Sequence, residues 1–257
     1  MAPMRIAVLA SGGGSNLGAL FTHFDDPRAA AVGSIVCVGS DKSDSGALVR
    51  ARSRGVSALV ISDHQDGVAL RSLFHEHGVD LVVLAGYLKL LPAEIVSAWP
   101  GRVLNVHPAL LPAFGGAGMY GSRVHTAVIA SGARVSGATV HFVNEHYDRG
   151  AIAAQWPVPV YPRDTPADLA SRVLQVEHRL LPLVAEAVCA GALSLGADGR
   201  VHGHMGLAPA HPVPPGVRFC LTENDLAPRA SIDADTVDAD SVARAAFAYD
   251  VARLYPR

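Results

Sequence analysis

Four short apolar runs near the start of the chain limit the folds open to it. Arg5–Ala10, Ile35–Ser40, Ala58–Ile61 and Leu81–Gly86 are nearly continuous rather than alternating. That is the pattern of strands buried on both faces of a parallel sheet. Helical stretches separate them: Leu17–Phe21, Ser45–Arg54 with Ala47, Leu48 and Ala51 at core spacing, and Gly67–His77 with Leu70, Leu73 and Phe74. Strand and helix alternating in this way predict an α/β fold with a doubly wound, mostly parallel sheet and helices on both faces. Ligands then bind at the carboxyl ends of the strands.

The later chain continues the pattern. Pro92 starts a helix to about Trp99, and Arg102 leads into Leu104-Asn105-Val106-His107-Pro108-Ala109-Leu110-Leu111-Pro112. Asn105 and His107 are two apart, so in an extended strand their side chains leave on one face, and the prolines end the regular element. Ala113–Gly121 is glycine-dense and predicts a mobile loop over this strand end. Ser122–Ser131 reads as a helix capped by Ser122, and Ser136–Val143 as a strand. Ala151–Val160, with Pro157 and Pro159 and followed by Pro162, reads as an edge strand. Thr165 and Pro166 start a helix to Ala190 with a buried stripe of Leu169, Val173, Val176, Leu180, Val184 and Val188, and Pro182 offers a kink.

Composition excludes some functions. With 21 basic and 23 acidic residues in 257, no broad electrostatic grip on nucleic acid or anionic membrane is expected, and small molecules are the expected partners. Three isolated cysteines, Cys37, Cys189 and Cys220, fit free thiols in a reducing cytosol. The N-terminus has no apolar signal core and no apolar stretch approaches ~18 residues, so a soluble, cytoplasmic protein is expected. Residues 1–195 carry the α/β pattern. Beyond them the chain turns proline-rich, then acidic, then helix-like over Ser241–Leu254. Residues 196–257 are read as a C-terminal extension that packs on the domain or mediates assembly, with a homodimer left open.

Two places carry chemistry. The first apolar run feeds Ser11-Gly12-Gly13-Gly14-Ser15-Asn16 and then a helix, so unpaired helix amides face the turn and suit an anion. The third glycine of the dinucleotide fingerprint and the Gly-Lys-Ser/Thr of a P-loop are missing, which favours a phosphate monoester on a smaller ligand. A tight turn without a ligand stays open. The second place is the strand end with Asn105 and His107, to which Asp148, at the end of another strand, adds an acid. Taken blandly, Asp148 shapes a turn before Gly150 and Asn105 caps a strand.

Leu84-Ala85-Gly86-Tyr87, Asn105-Val106-His107-Pro108-Ala109-Leu110-Leu111-Pro112, Thr139–Val143, Asp148-Arg149-Gly150 and Glu177-His178 occur in an order and spacing that resemble the phosphoribosylglycinamide formyltransferases of purine biosynthesis. The resemblance covers residues 5 to about 195. It implies a Rossmann-like formyltransferase domain, 10-formyltetrahydrofolate as co-substrate, glycinamide ribonucleotide as acceptor, and no metal. By position it implies a catalytic set of Asn105, His107 and Asp148. It puts the ribonucleotide phosphate on Gly14, Ser15 and Asn16, with Gly12 and Gly13 shaping the turn and Glu177 binding the ribose hydroxyls. The folate would lie against Leu88, Lys89, Leu90 and Leu91 and against Glu145, His146 and Tyr147. Lys89 stands where an arginine is frequent in the family, and the loop from Gly115 to Arg123 is longer than in its shortest members.

The residue chemistry agrees. Formyl transfer to an amine passes through a tetrahedral oxyanion, and a proton leaves the amine while one reaches the departing folate nitrogen. Asn105 and a protonated His107, its pKa raised by Asp148, are expected to donate to the oxyanion, and Asp148 to accept the amine proton. No acyl-enzyme is needed. An amino-sugar N-formyltransferase, a formyltetrahydrofolate hydrolase and a non-catalytic phospho-ligand-binding protein are the alternatives. The hydrolases add an N-terminal regulatory domain, whereas the first strand here begins at Arg5.

Overall fold

The structure is a computed structural model that describes residues 2–203. The helix expected over Ser241–Leu254, Cys220 and the acidic stretch lie outside the described residues. Seven strands form one sheet: β1 (Met4–Leu9), β2 (Gly33–Ser40), β3 (Ser57–Val60), β4 (Leu81–Leu84), β5 (Val103–His107), β6 (Val135–Phe142) and β7 (Ile152–Pro159). Their order is β3-β2-β1-β4-β5-β6-β7. The first five pair in parallel, β6 and β7 run antiparallel, and β7 is the edge that its prolines predict.

The runs in β1, β2 and β4 are largely buried on both faces, as anticipated, whereas β3 is an edge strand whose Ala58 and Leu59 are only half-buried and whose Val60 is exposed. Ala7, Leu9, Val82, Leu84 and Val103 pack with Leu70 and Phe74 of α4 (Gly67–Glu76) and Ile95 of α5 (Ala93–Ala98). Trp99 closes this layer edge-on to Phe74, and its indole N–H donates to the Val79 carbonyl at 2.9 Å, so the buried ring leaves no donor unmet. On the other face lie α1 (Ser15–Phe24) and the 24-residue α7 (Pro166–Cys189). Every residue of the expected α7 stripe is buried, each contributing about 1.5–3 kcal/mol of apolar burial. The helix runs unbroken through Pro182. The one-turn α2 (Pro27–Ala30), capped by Asp26, leads into β2, α3 (Gly46–Ser53) is capped by Ser45, and α6 (Ser122–Ala130) follows the glycine-rich loop.

Ser122 is not the cap of α6. Gly121 holds that place with φ 55° and ψ −136°, a conformation open to glycine, and Ser122 is the first helical residue. Cys37 and Cys189 are free and buried, and burial pushes both thiols up to about 12. A hairpin of β8 (Leu193–Leu195) and β9 (Val201–Gly203) ends the described chain. Among the described residues no helix is long and apolar enough to cross a membrane.

Thr165 and Asp168 make a reciprocal capping box at the start of α7. Thr165→Ala is expected to cost about 1 kcal/mol, measured as a lower urea midpoint at unchanged slope; an unchanged midpoint would show that the box adds nothing.

Candidate active site

The site lies where the sheet reverses direction. β5 is parallel to β4 on one side and antiparallel to β6 on the other, so Asn105 pairs with His141 and His107 with Thr139. The turn after His107 is fastened by Thr139, whose hydroxyl donates to the Ala109 carbonyl at 2.6 Å and accepts from the Leu111 amide at 3.0 Å. Gln155 donates to the Leu111 carbonyl at 2.8 Å. The proline-bounded turn therefore leaves few backbone groups unpaired, and the end of β5 is held rigidly.

Asp148 comes from the turn between β6 and β7, in left-handed backbone with φ 54°. A side chain on Gly150 would run into the Phe142 carbonyl, so only glycine lets that turn pass. The Asp148 side chain is 9% exposed. Its Oδ2 lies 3.4 Å from His107 Nδ1 and accepts from the Gly116 amide at 2.8 Å. Its Oδ1 lies 3.6 Å from His141 Nε2 and 3.5 Å from Asn105 Nδ2. Burial pushes the carboxyl up, but the nearby His141 and His107 rings and the Gly116 amide outweigh it, and the net pKa is below the usual carboxylate value. Asn105, His107 and Asp148 thus meet in one cluster, as their spacing suggested.

The charge state of His107 differs from expectation. Burial lowers its pKa by more than Asp148 and the Phe114 carbonyl raise it, so the ring is held neutral rather than protonated. Its Nε2 lies 2.9 Å from the Phe114 carbonyl, which can only accept, so Nε2 carries the proton. The 3.4 Å to Asp148 is longer than the roughly 2.7–2.9 Å of a charge-assisted bond, in keeping with a neutral ring. Charge pairing was legible in the sequence; depth of burial was not.

A cleft of about 940 Å³ opens over the cluster. Leu88, Lys89, Leu90 and Leu91 line it, as do His146 and Tyr147; Glu145 is exposed and does not line it. The Leu88 amide donates to Ser11 Oγ at 3.1 Å, which ties the Leu88–Leu91 wall to the glycine turn. At the other end Asn16 Nδ2 donates to Glu177 Oε2 at 2.7 Å, while Asn16 Oδ1 has no partner among the described residues. Burial raises the Glu177 pKa, against the bond from Asn16. Gly14 is left-handed with φ 71° and starts α1 without a side-chain cap. The amides of Gly14, Ser15 and Asn16 meet no acceptor among the described residues. Gly12 and Gly13 have open space where a side chain would be.

Two histidines were given no role in the sequence reading, although His141 lies within the Thr139–Val143 motif. His141, 2% exposed, sits opposite Asn105, with Nδ1 3.0 Å from the Phe142 carbonyl and Nε2 3.1 Å from Asn105 Nδ2 and 3.6 Å from Asp148 Oδ1. Its inward place on an alternating strand was the available signal. His125 of α6 is 4% exposed and lines the cleft, and its Nδ1 has no partner among the described residues. Burial and the nearby His107 lower its pKa. It fell at a core position of a helix beside Val124 and Val128, where a histidine looks unremarkable. The backbone of Phe114 and Gly116, which touches both His107 and Asp148, carries no sequence signal at all.

A sheet of this order with a buried Asn–His–Asp cluster at the end of its fifth strand defines a formyl-transfer fold, and residues 4–185 match the formyl transferase family, to which the chain belongs. Among its relatives, the chloroplastic phosphoribosylglycinamide formyltransferase of Arabidopsis thaliana is 47% identical over 202 residues, covering 76% of this chain and 68% of that one. The phosphoribosylglycinamide formyltransferase of Escherichia coli is 36% identical, with 80% and 92% covered. The crystal structure of glycinamide ribonucleotide transformylase 1 from Symbiobacterium toebii superposes with a TM-score of 0.71 at 38% identity, over 78% of this chain and 93% of that one.

Three histidines, His107, His125 and His178, are held below their ordinary pKa chiefly by burial. Their unfolded forms take up protons first as pH falls below about 6.5. Their contribution to stability is therefore present above that pH and lost below it, while the raised Glu177 acts in the opposite sense. The thermal midpoint is expected to fall from pH 7.5 to 5.5, and to fall less in His125→Gln. An equal fall in that variant would rule out His125 as a source.

Proposed function

We propose that this protein transfers the formyl group of 10-formyltetrahydrofolate to the amine of glycinamide ribonucleotide, a step of purine biosynthesis. The observation that carries the reading is the grouping of Asn105, His107 and Asp148 in one cleft, whose lining takes in the Leu88–Leu91 wall and, from the glycine turn, Asn16; the amides of Gly14, Ser15 and Asn16 beside it meet no acceptor among the described residues. The names of its relatives support the same acceptor. The phosphate goes to the amides of Gly14, Ser15 and Asn16. The ribose hydroxyls meet Glu177 and the free Asn16 Oδ1, and the pterin lies along Leu88–Leu91, against His146 and Tyr147.

The amine attacks the formyl carbon, and the carbonyl electrons move to oxygen. Neutral His107 donates from Nε2 and Asn105 from Nδ2 to that oxyanion. The His107 N–H is held by the Phe114 carbonyl at 2.9 Å, which the oxyanion displaces as the acceptor in the reaction. Asp148, kept ionised by its low pKa, accepts the amine proton directly or through a water. The intermediate collapses as the C–N bond to folate breaks, and the folate nitrogen takes up that proton. Protons balance without a charged His107 and without a covalent enzyme intermediate.

The same reading assigns catalysis to residues 1–195 and treats 196–257 as an extension. It puts the protein in the cytoplasm, acting on small molecules. Given both substrates, the protein is expected to release tetrahydrofolate, and His107→Ala and Asp148→Asn each to lower kcat about 10²–10⁴-fold with unchanged near-ultraviolet circular dichroism. Full activity in both variants would refute the mechanism. Formate release without any amine would point to a hydrolase, and turnover only with amino sugars would move the acceptor assignment.

A further inference from the structure

One buried polar ring in the cleft takes no part in the mechanism above. His125 of α6 is 4% exposed and lines the same cleft as Asn105, His107 and Asp148. Its Nδ1 is sealed from solvent without a partner, and no hydrogen bond engages its Nε2 among the described residues. Burial and the nearby His107 keep the ring neutral, so it carries one N–H and one lone pair. A stranded donor is rarer in folded proteins than a stranded acceptor. The lone pair therefore falls to the sealed Nδ1, and the N–H to Nε2, the nitrogen left to face the cleft.

The layer in which His125 stands says which part of a ligand it meets. α6 packs against α7, and α7 against α1, so the ring shares its layer with Glu177 and Asn16. Leu91 of the apolar wall belongs to the opposite layer, with Phe74 and Ile95. Of the other polar side chains that α6 and α7 add to the lining, Ser122 and Ser171 are exposed and Glu177 accepts from Asn16. His125 is thus the buried and unengaged donor on the acceptor side of the cleft, beside His107.

In glycinamide ribonucleotide a CH2-C(O)-NH linkage joins the amine to the ribose. With the amine at Asp148 and the ribose at Glu177, the carboxamide spans the stretch between them. Its oxygen needs a donor once the ligand excludes water. Resting on the formyl-transfer reading, we propose that His125 is a specificity-determining residue, whose Nε2–H donates to the carboxamide oxygen of the acceptor. The cleft then prefers a glycinamide to an amino sugar, which has no carbonyl beside its amine and leaves this N–H unmet.

The test compares wild type, His125→Leu and His125→Gln with glycinamide ribonucleotide and with an analogue in which CH2 replaces the carboxamide carbonyl. In H125L the KM for the ribonucleotide is expected to rise about 3–10-fold, the loss of one neutral hydrogen bond. The kcat and the folate KM should stay within about two-fold, and KM for the analogue should not change. H125Q, whose amide can donate, should recover part of the affinity. An equal rise in KM for both acceptors would mean that the ring only fills space, and would overturn the proposal. Imidazole 15N shifts of the wild type read the tautomer without any variant: a proton on Nε2 is expected, and one on Nδ1 would also overturn it. If wild type formylated amino sugars and not glycinamide ribonucleotide, the acceptor reading would fall and this assignment with it. Turnover of the ribonucleotide with an unchanged KM in H125L would sink the assignment alone.

Discussion

The Asp148 carboxylate is taken almost wholly out of water, with 9% of its side chain exposed, and an ion so placed must be met by donors. The geometry of the site follows from that need. The Gly116 amide reaches Oδ2, Asn105 reaches Oδ1, and the rings of His107 and His141 stand within 3.6 Å. Each of these groups is held in turn by something else: His141 by the Phe142 carbonyl, His107 by that of Phe114, and the end of β5 by Thr139 and Gln155. Asp148 itself stands in left-handed backbone, a strained choice for a non-glycine residue that its partners offset. The acid stays ionised, and its low pKa makes it the base of the proposed reaction.

The two halves of the sheet serve different ends of a ligand. The parallel half, β1 to β4, ends in the glycine turn and in the Leu88–Leu91 wall, which Ser11 joins by accepting from the Leu88 amide. The antiparallel half contributes His141 and Asp148. β5 belongs to both, so Asn105 and His107 sit on the seam. α7 closes the other side, with its capping box at the cleft mouth and Glu177 three turns further in.

Much of this was legible in the chain. Continuous apolar runs mark parallel strands, buried on both faces in β1 and β4 but not in the edge strand β3, and all seven main strands and the α7 stripe fell where periodicity placed them. Asn105 and His107 shared a face because a strand repeats every two residues. What could not be read depends on depth and on backbone. The pKa of His107 turns on how thoroughly the ring is buried, a three-dimensional quantity that outweighs the visible carboxylate. His125 and His141 occupy ordinary core positions. The Phe114 carbonyl and the Gly116 amide are contacts of main-chain atoms, which every residue possesses. Gly121 rather than Ser122 enters α6 because the turn needs a glycine conformation that outranks a side-chain cap.

The bond between Asn16 and Glu177 joins residues 161 apart in sequence. A ribosome adding about 5–20 residues per second therefore needs roughly 8–30 s to make the second partner after the first. During that time β1 can pair with β2 and then β4, but the polar turn at the head of α1 has no α7 to cover it. The acceptor end of the cleft is consequently among the last parts to assemble on a nascent chain, although its first residues are among the earliest made. Contacts of such span slow folding because the loop between them must close before they form. A chain halted before α7 would carry the glycine turn and the strand-end pair without the wall that gives either of them a pocket.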